Sequence, residues 1–271
     1  MSLKKSLGLI DATMLVSGSM IGSGIFIVSA DMARSVGSSG YLLLLWLITG
    51  IITLIAALSY GELAGMMPKA GGQFVYIQRA FGNMTAFLYG WTVFTVIQTG
   101  VIAAVAVAFA NYTSFFFPEL DHVFIDFKSW SVSGKHLLAI ASLVLLTFIN
   151  SRGIQNGRII QLVFTSAKLF ALFALIVLGI AFGLRSDVAA QNFAHMWDAS
   201  AILKNNTGEW MLPMAISGIA LLGAMGTTII NPLFSSDAWN NVTFIAGEIR
   251  EPEKNIPRSL LLGTFIVTIL Y

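Results

Sequence analysis

Long apolar segments recur along the whole chain and limit what it can fold into. A helix needs about 20 apolar residues to cross the hydrocarbon core of a bilayer. Seven segments reach or approach that length: residues 9–30, 41–65, 84–115, 136–150, 159–184, 212–246 and 258–271. Charged residues make up only 10% of the chain, compared with about 25% in soluble domains. Because so few charges cannot cover the surface of a soluble globule, the sequence predicts an all-α polytopic membrane protein.

Basic residues are unevenly distributed between the connections of these segments. If the N-terminus is cytoplasmic and the segments alternate, nine basic residues face the cytoplasm and five face outside. The cytoplasmic set is Lys4, Lys5, Lys69, Arg79, Arg152, Arg158, Arg250, Lys254 and Arg258. The outside set is Arg34, Lys128, Lys135, Arg185 and Lys204. Since cytoplasmic connections are enriched in lysine and arginine, this bias favours a cytoplasmic N-terminus.

The seventh segment is shorter than a complete span. Only 15 residues run from Pro257 to Tyr271, and a helix of that length covers roughly 22 Å of a core about 30 Å thick. We therefore expect the chain to be the N-terminal portion of a longer protein. The alternative is a naturally short seventh helix.

Several kinds of functional site find no support in the composition. The chain has no cysteine, which excludes disulfides, thiolate metal sites and cysteine nucleophiles. His122, His136 and His195 lie in or beside polar connections and lack the spacing of metal ligands. No basic patch with interleaved aromatic residues occurs, and no zincin, P-loop or nucleophile-elbow motif. We expect no catalytic residue, metal, cofactor or nucleic-acid partner.

Small residues interrupt the middle of the first segment. Three glycines and three serines fall within the eight residues Ser17–Gly24, and each glycine costs about 1 kcal/mol relative to alanine inside a helix. One interpretation is close helix packing through the GxxxG pair Gly18 and Gly22. The other is an unwound stretch at Gly22-Ser23-Gly24, after which a new half-helix would present free N–H groups suited to a carboxylate.

Polar residues and a proline interrupt the sixth segment over Asn231–Asn241. Pro232 removes a helix hydrogen bond, and an aspartate at membrane depth, here Asp237, usually marks a pathway or a binding site. The alternative is that the segment ends at Leu233 and that the following residues lie at the interface. Interrupted helices at corresponding places in two halves of a chain are typical of transporter binding sites. We therefore predict a site where the first and sixth segments break.

Two further features lie outside these breaks. Lys168 stands near the middle of the fifth segment, where a lysine costs about 2.5–3.5 kcal/mol on insertion scales. It is interpreted as a coupling cation or titrating group, or as a structural cation that caps backbone carbonyls.

The second feature is the turn Met67–Phe74 and the amphipathic stretch Phe74–Phe81 that follows it. Together they predict an interfacial helix that acts as a gate element, with an ordinary turn as the alternative.

Three motifs occur in order along the chain. They are Gly22–Phe26 at the first break, Glu62-Leu63 with Pro68–Gly72 after the second segment, and Phe234–Phe244 with Gly247-Glu248 and Pro252–Pro257 around and after the second break. Together they resemble the motifs of L-type amino acid permeases in the amino acid–polyamine–organocation superfamily. The match runs over residues 6–271.

The resemblance implies a LeuT-type inverted-repeat fold of about twelve helices. About seven of these would be present, with helices 1 and 6 broken. Residues 1–184 would form the first repeat with helices 1–5, residues 185–211 an extracellular loop, and residues 212–271 the start of the second repeat with helices 6 and 7.

The resemblance also implies roles for individual residues. The substrate-binding residues would be Ile21, Gly22, Ser23, Gly24, Phe234, Ser235 and Asp237. Amides of the first four would hold the substrate carboxylate, and carbonyls around the last three its α-amino group. Lys168, Phe234 and Trp239 would serve coupling or gating, with Phe234 as an outer gate. Lys168 matches a lysine that stands where sodium sits in sodium-coupled relatives, which favours exchange or proton coupling.

This chain departs from the family pattern at two places. Relatives often have glycine where this chain has Ala238, and alanine followed by an aromatic residue where it has Ser235-Ser236. The side-chain pocket is therefore expected to be more polar.

The prediction that follows is a secondary amino acid transporter in the plasma membrane that works by alternating access. Neutral α-amino acids are favoured because Asp237 is the only evident carboxylate at membrane depth. Its expected partners are an amino acid and the lipid bilayer, and the sequence does not specify a partner subunit. A transporter of polyamines or other organic cations is the alternative, and a non-transporting membrane receptor is a further one.

Overall fold

The structure is a computed structural model that describes residues 5–127, 130–152, 154–183, 187–202 and 209–271. Helices dominate it: α1 (Leu9–Met20), α2 (Gly24–Val36), α3 (Ser39–Met66), α4 (Gln73–Phe81), α5 (Asn83–Thr92), α6 (Gln98–Phe116), α7 (Gly134–Ser151), α8 (Ile154–Gly183), α9 (Asp187–Ala194), α10 (Gly218–Thr228), α11 (Ile230–Ser235) and α12 (Pro252–Leu270). A π-helical turn, Val93–Ile97, joins α5 to α6, and 3-10 helices cover Pro118–Asp121 and Trp239–Glu248. The short strands pair as two antiparallel ribbons: β1 (Val123–Phe127) with β2 (Trp130–Ser133), and β3 (Ser200–Ala201) with β4 (Met214–Ala215).

Six helical stretches in the described part of the chain are long and apolar enough to cross a membrane. They are Leu9–Val36, Ser39–Met66, Asn83–Phe116, Gly134–Ser151, Ile159–Gly183 and Gly218–Glu248. They coincide with the first six apolar segments of the sequence. The prediction of an all-α polytopic membrane protein is confirmed.

The seventh segment differs from its prediction at its start. The sequence placed it from residue 258, but α12 begins at Pro252. Proline is well tolerated in the first turn of a helix because its missing N–H would have no partner there. Glu253, Lys254 and Arg258 therefore lie in the first two turns of α12, so the helix is charged at one end and apolar at the other.

The described residues group into two compact units, residues 1–73 with 161–271, and residues 74–160. In the first unit, α12 packs on α3 and on α1, and α2 packs on α10 and α11. Gly263 lets α12 approach α1 closely, since a Cβ there would lie 2.5 Å from Val16 Cγ1. A buried cluster of Met32, Val36, Leu45 and Trp46 joins α2 to α3.

The second unit contains α4 from Phe74 onward, α5, the π-helical turn, α6, the first ribbon, α7 and the start of α8. Its packing centre is small, because Ala106 and Ala110 of α6 meet Ala139 of α7. Large apolar side chains elsewhere on these helices are exposed, among them Phe94 and Val105. An exposed apolar face of this extent suits a hydrocarbon environment.

The turn after α3 packs against the second half of the sixth segment. The amide of Gly71 donates to the carbonyl of Phe244 over 3.2 Å. Gly72 has φ +49°, and a Cβ there would clash with Thr243 Oγ1. The helix predicted for Phe74–Phe81 is present as α4. Its role as a gate element stays a prediction.

Candidate functional site

The first segment is broken between α1 and α2. Ile21 has extended backbone, with φ −74° and ψ 96°, and α2 does not begin until Gly24. Ile21 is buried, whereas Gly22 and Ser23 are exposed. Each of the two interpretations therefore applies to one of the glycines, close packing to Gly18 and unwinding to Gly22. Gly18 serves close packing, since a Cβ there would clash with Thr165 of α8, while nothing lies within 4 Å of a Cβ added to Gly22.

The break leaves a set of backbone donors unpaired. Among the described residues, no hydrogen-bond acceptor is found for the amides of Gly22, Ser23 and Gly24. These amides stand at the N-terminal end of α2, where the helix dipole also favours negative charge. The first break therefore presents backbone donors of the kind that suits an anion.

The opposite side of the break, the carbonyl end of α1, is already occupied by side chains. Lys168 Nζ donates to the carbonyl of Gly18 over 3.4 Å, and the Tyr271 hydroxyl lies 3.1 Å from the carbonyl of Met20. A cation at a helix C-terminus is favoured by the helix dipole. Because the carbonyls of Gly18 and Met20 already face donors and the amides after them are free, the break suits a carboxylate better than an ammonium group.

The sixth segment is broken at Ser236–Ala238. The sequence placed the interruption from Asn231 onward, but Asn231 and Pro232 lie inside the short helix α11. Pro232 fits because it stands in the first turn of that helix, where no backbone N–H is required. After the break the chain resumes as the 3-10 helix Trp239–Glu248.

Ala238 takes a left-handed conformation at this break, with φ 68°. A residue with a Cβ is strained there by about 1–2 kcal/mol, whereas glycine is not. We expect Ala238→Gly to stabilise the protein by about 0.5–1 kcal/mol, the strain relief being partly offset by the larger entropy of glycine in the unfolded chain. Thermal unfolding of the detergent-solubilised protein measures this.

The matched control for Ala238→Gly is Ala246→Gly, in the 3-10 helix that follows Ala238. Ala246 is 2% exposed and has no positive φ, so glycine there should lower stability by about 1 kcal/mol. If both substitutions lower the unfolding temperature equally, the left-handed conformation of Ala238 carries no strain.

The two breaks meet at Gly24 and Ser235. A Cβ on Gly24 would lie 2.6 Å from Ser235 Oγ and 3.3 Å from Ser235 Cα. The Tyr271 hydroxyl lies 3.4 Å from the carbonyl of Ser235 as well as 3.1 Å from that of Met20. The side chain of Tyr271, the residue that follows α12, therefore contacts the carbonyl end of the half-helix at each break.

Sequence reasoning did not identify Tyr271. It belongs to an apolar segment and has no neighbouring glycine, proline or charge that would mark it. Its ring packs edge-on against Trp46 of α3, with centroids 5.2 Å apart. A tyrosine is often held this way, with an apolar ring contact and a partner for its hydroxyl.

The other predicted site residues of the sixth segment lie on both sides of its break, Phe234 in α11, Asp237 in the break and Trp239 after it. Phe234 and Asp237 are exposed, and the exposed fraction of Phe234 is 74%.

Trp239 is buried and packs edge-on against Tyr60 of α3, with ring centroids 5.0 Å apart. Gln73 Nε2 donates to the Tyr60 hydroxyl over 3.0 Å. Trp239 thus connects the second half of the sixth segment to α3 and to the turn that follows it.

Comparison with known proteins identifies the family of this chain. The amino acid permease family model matches residues 7–271. Mouse b(0,+)-type amino acid transporter 1 is 29% identical over 270 residues, which cover 100% of this chain and 50% of the relative. Mouse large neutral amino acids transporter small subunit 2 is 32% identical over 276 residues, covering 100% of this chain and 46% of the relative. Mouse Asc-type amino acid transporter 1 is 30% identical over 270 residues, with coverages of 100% and 46%. The chain spans about half the length of these curated relatives.

Proposed function

Because this chain belongs to the amino acid permease family, we propose that it carries the substrate site of a secondary active transporter for neutral α-amino acids. The observation that carries this proposal is the set of unpaired amides at Gly22, Ser23 and Gly24. Transport proceeds by alternating access, through exchange or proton coupling. The protein acts as a transporter and not as an enzyme, as the names of its relatives also describe.

Both charged groups of an amino acid find partners at the two breaks. The carboxylate binds the free amides at the start of α2. The α-amino group binds carbonyls around Phe234, Ser235 and Asp237, at the C-terminal end of α11, where the helix dipole favours positive charge. A polyamine would leave the amide donors without an acceptor, so the geometry favours an amino acid over an organic cation.

Lys168 supports exchange or proton coupling. Its ammonium group donates to Gly18 O at 3.4 Å, one turn before the first break. A second cation placed beside it would be repelled, since two unit charges 4 Å apart interact by about 4 kcal/mol at an effective dielectric constant of 20. A fixed lysine charge therefore takes the place that a coupling sodium ion would need.

The remaining architecture follows from the same proposal. Residues 1–184 form the first repeat, residues 185–211 an outside loop, and residues 212–271 the start of an inverted second repeat. The corresponding breaks in the first and sixth segments support this division.

The protein lies in the plasma membrane, and its N-terminus is cytoplasmic, as the distribution of basic residues favours. We include association with a second subunit in the proposal, because one relative is named a small subunit.

Uptake by the full-length protein tests the proposal. Proteoliposomes are loaded with an unlabelled neutral amino acid, and entry of the labelled amino acid is followed. We expect saturable uptake that internal substrate stimulates and that a polyamine such as spermidine does not compete. Saturable uptake of labelled spermidine that no α-amino acid inhibits would instead assign the protein to organic cations. If no α-amino acid is taken up or exchanged, the proposal is wrong.

A further inference from the structure

The hydroxyl of Tyr271 lies between the two helix breaks. It is 3.1 Å from the carbonyl of Met20, the last residue of α1, and 3.4 Å from the carbonyl of Ser235, the last residue of α11. The Ser235 side chain also hydrogen-bonds with Tyr271. The last carbonyls of a helix have no donor within it, and one donor shared between two acceptors is common at helix ends. The Tyr271 hydroxyl therefore joins the two half-helices that end at the breaks.

The ring of Tyr271 is held in place by α3 and, through α3, by α2. It packs edge-on against Trp46 of α3, with ring centroids 5.2 Å apart. Trp46 is itself buried, and its Nε1 donates to Ser29 Oγ of α2 over 3.2 Å. Because the ring is already packed, little side-chain freedom is lost when the hydroxyl contacts the two carbonyls.

The position of this hydroxyl bears on the spacing of the proposed substrate groups. The amides assigned to the carboxylate, Gly22–Gly24, directly follow α1, and the carbonyls assigned to the amino group lie around Ser235 at the end of α11. The separation of these two helix ends therefore sets the separation of the two charged groups that can bind. The Ser235 carbonyl can serve Tyr271 and a substrate together, since a carbonyl oxygen has two lone pairs.

We propose that Tyr271 is a positioning residue that selects α-amino acids over β-amino acids. In an α-amino acid the amino group and the carboxylate are attached to the same carbon, so both bind only if the ends of α1 and α11 keep a short, fixed spacing. The Tyr271 hydroxyl holds that spacing. Without it the two ends can separate, and the longer spacing of a β-amino acid is accommodated. This inference rests on the proposed transport of amino acids and adds a criterion for which of them bind.

The test compares two isomers that differ in this spacing. In proteoliposomes containing the full-length protein, uptake of labelled L-leucine is competed by unlabelled L-leucine and by β-leucine, whose amino group is attached one carbon farther from the carboxylate. Tyr271→Phe removes the hydroxyl and keeps the ring. We expect its apparent affinity for L-leucine to fall about five- to tenfold, the effect of losing one hydrogen bond. Its apparent affinity for β-leucine should stay the same or rise, so the preference for L-leucine falls at least about fivefold.

Tyr41→Phe is the matched control. Tyr41 of α3 also packs edge-on against a tryptophan, Trp197, with ring centroids 5.2 Å apart, but its hydroxyl has no hydrogen bond in the described part of the chain. Its preference for L-leucine should equal that of the wild type. The preference is a ratio and does not depend on how much of each variant folds.

Three results would overturn the role of Tyr271. They are an unchanged preference in Tyr271→Phe, an equal loss of affinity for both isomers, and β-leucine that inhibits neither the variant nor the wild type. Wild-type protein that takes up no α-amino acid would instead overturn the proposed function, and this inference with it.

Discussion

Gly24→Ala should reduce transport at least tenfold while the protein still folds. The added Cβ would lie 2.6 Å from Ser235 Oγ, 3.0 Å from Ser235 Cβ and 3.3 Å from Ser235 Cα. Contacts this short cannot be relieved by the side chain alone, so α2 must move away from α11. The amides that we assign to the carboxylate move with α2, and a displacement of about 1 Å at a binding element can cost 10²-fold. The loss would occur although alanine is the better helix former by about 1 kcal/mol.

Two further variants separate this effect from a general loss of stability. Gly100→Ala adds the same methyl group to α6 where nothing lies within 4 Å, and its initial uptake rate should equal that of the wild type. The double variant Gly24→Ala with Ser235→Gly removes the closest contacts and should recover part of the rate. Initial rates per unit of reconstituted protein are the measurement, with thermal unfolding as the check on folding. If Gly24→Ala retains more than a tenth of the wild-type rate, the two breaks do not meet as described.

The sequence predicts the membrane-spanning segments well because the bilayer imposes a simple rule. A helix in hydrocarbon must be apolar over its full length, so runs of apolar residues in the sequence identify the spans. The breaks are visible for the same reason. Gly22-Ser23-Gly24 and the polar run around Asp237 violate the rule, and the structure places a helix interruption at each. The family that these motifs resemble is also confirmed by the match over residues 7–271.

The details that the sequence missed depend on neighbours in space. Pro232 marks a break when only its own segment is considered, yet it lies in the first turn of α11 and is compatible with that helix. Gly18 and Gly22 form one motif in sequence, but only Gly18 has another helix beside it. Tyr271 lies 251 positions after Met20. No local pattern encodes a contact at that separation, because it depends on how α12 packs against α1 and α3.

Lys168→Ala should lower the rate of transport about 10- to 100-fold and leave the preference between substrates within twofold of wild type. The ammonium group donates to the carbonyl of Gly18, and a hydrogen bond to a charged group contributes about 1.5–3 kcal/mol. Gly18 also packs directly against Thr165 of α8, so the bond ties α8 to α1 one turn before the break. Its loss frees the end of α1 without removing any amide that contacts the substrate. The rate should therefore change more than the specificity.

Three variants distinguish this coupling role from a purely structural one. Lys168→Arg keeps the charge and should keep more of the rate than Lys168→Gln, which keeps a donor without the charge. Lys135→Ala is the control, since Lys135 pairs with Asp121 at 2.7 Å in a partly exposed ion pair, and such pairs contribute only about 0–1 kcal/mol. Its uptake should be that of the wild type. Equal uptake by Lys168→Ala and Lys135→Ala would show that Lys168 only caps a carbonyl. A shift in substrate preference in Lys168→Ala would instead place the lysine in the binding pocket, because a cation that acts through α1 affects all substrates alike.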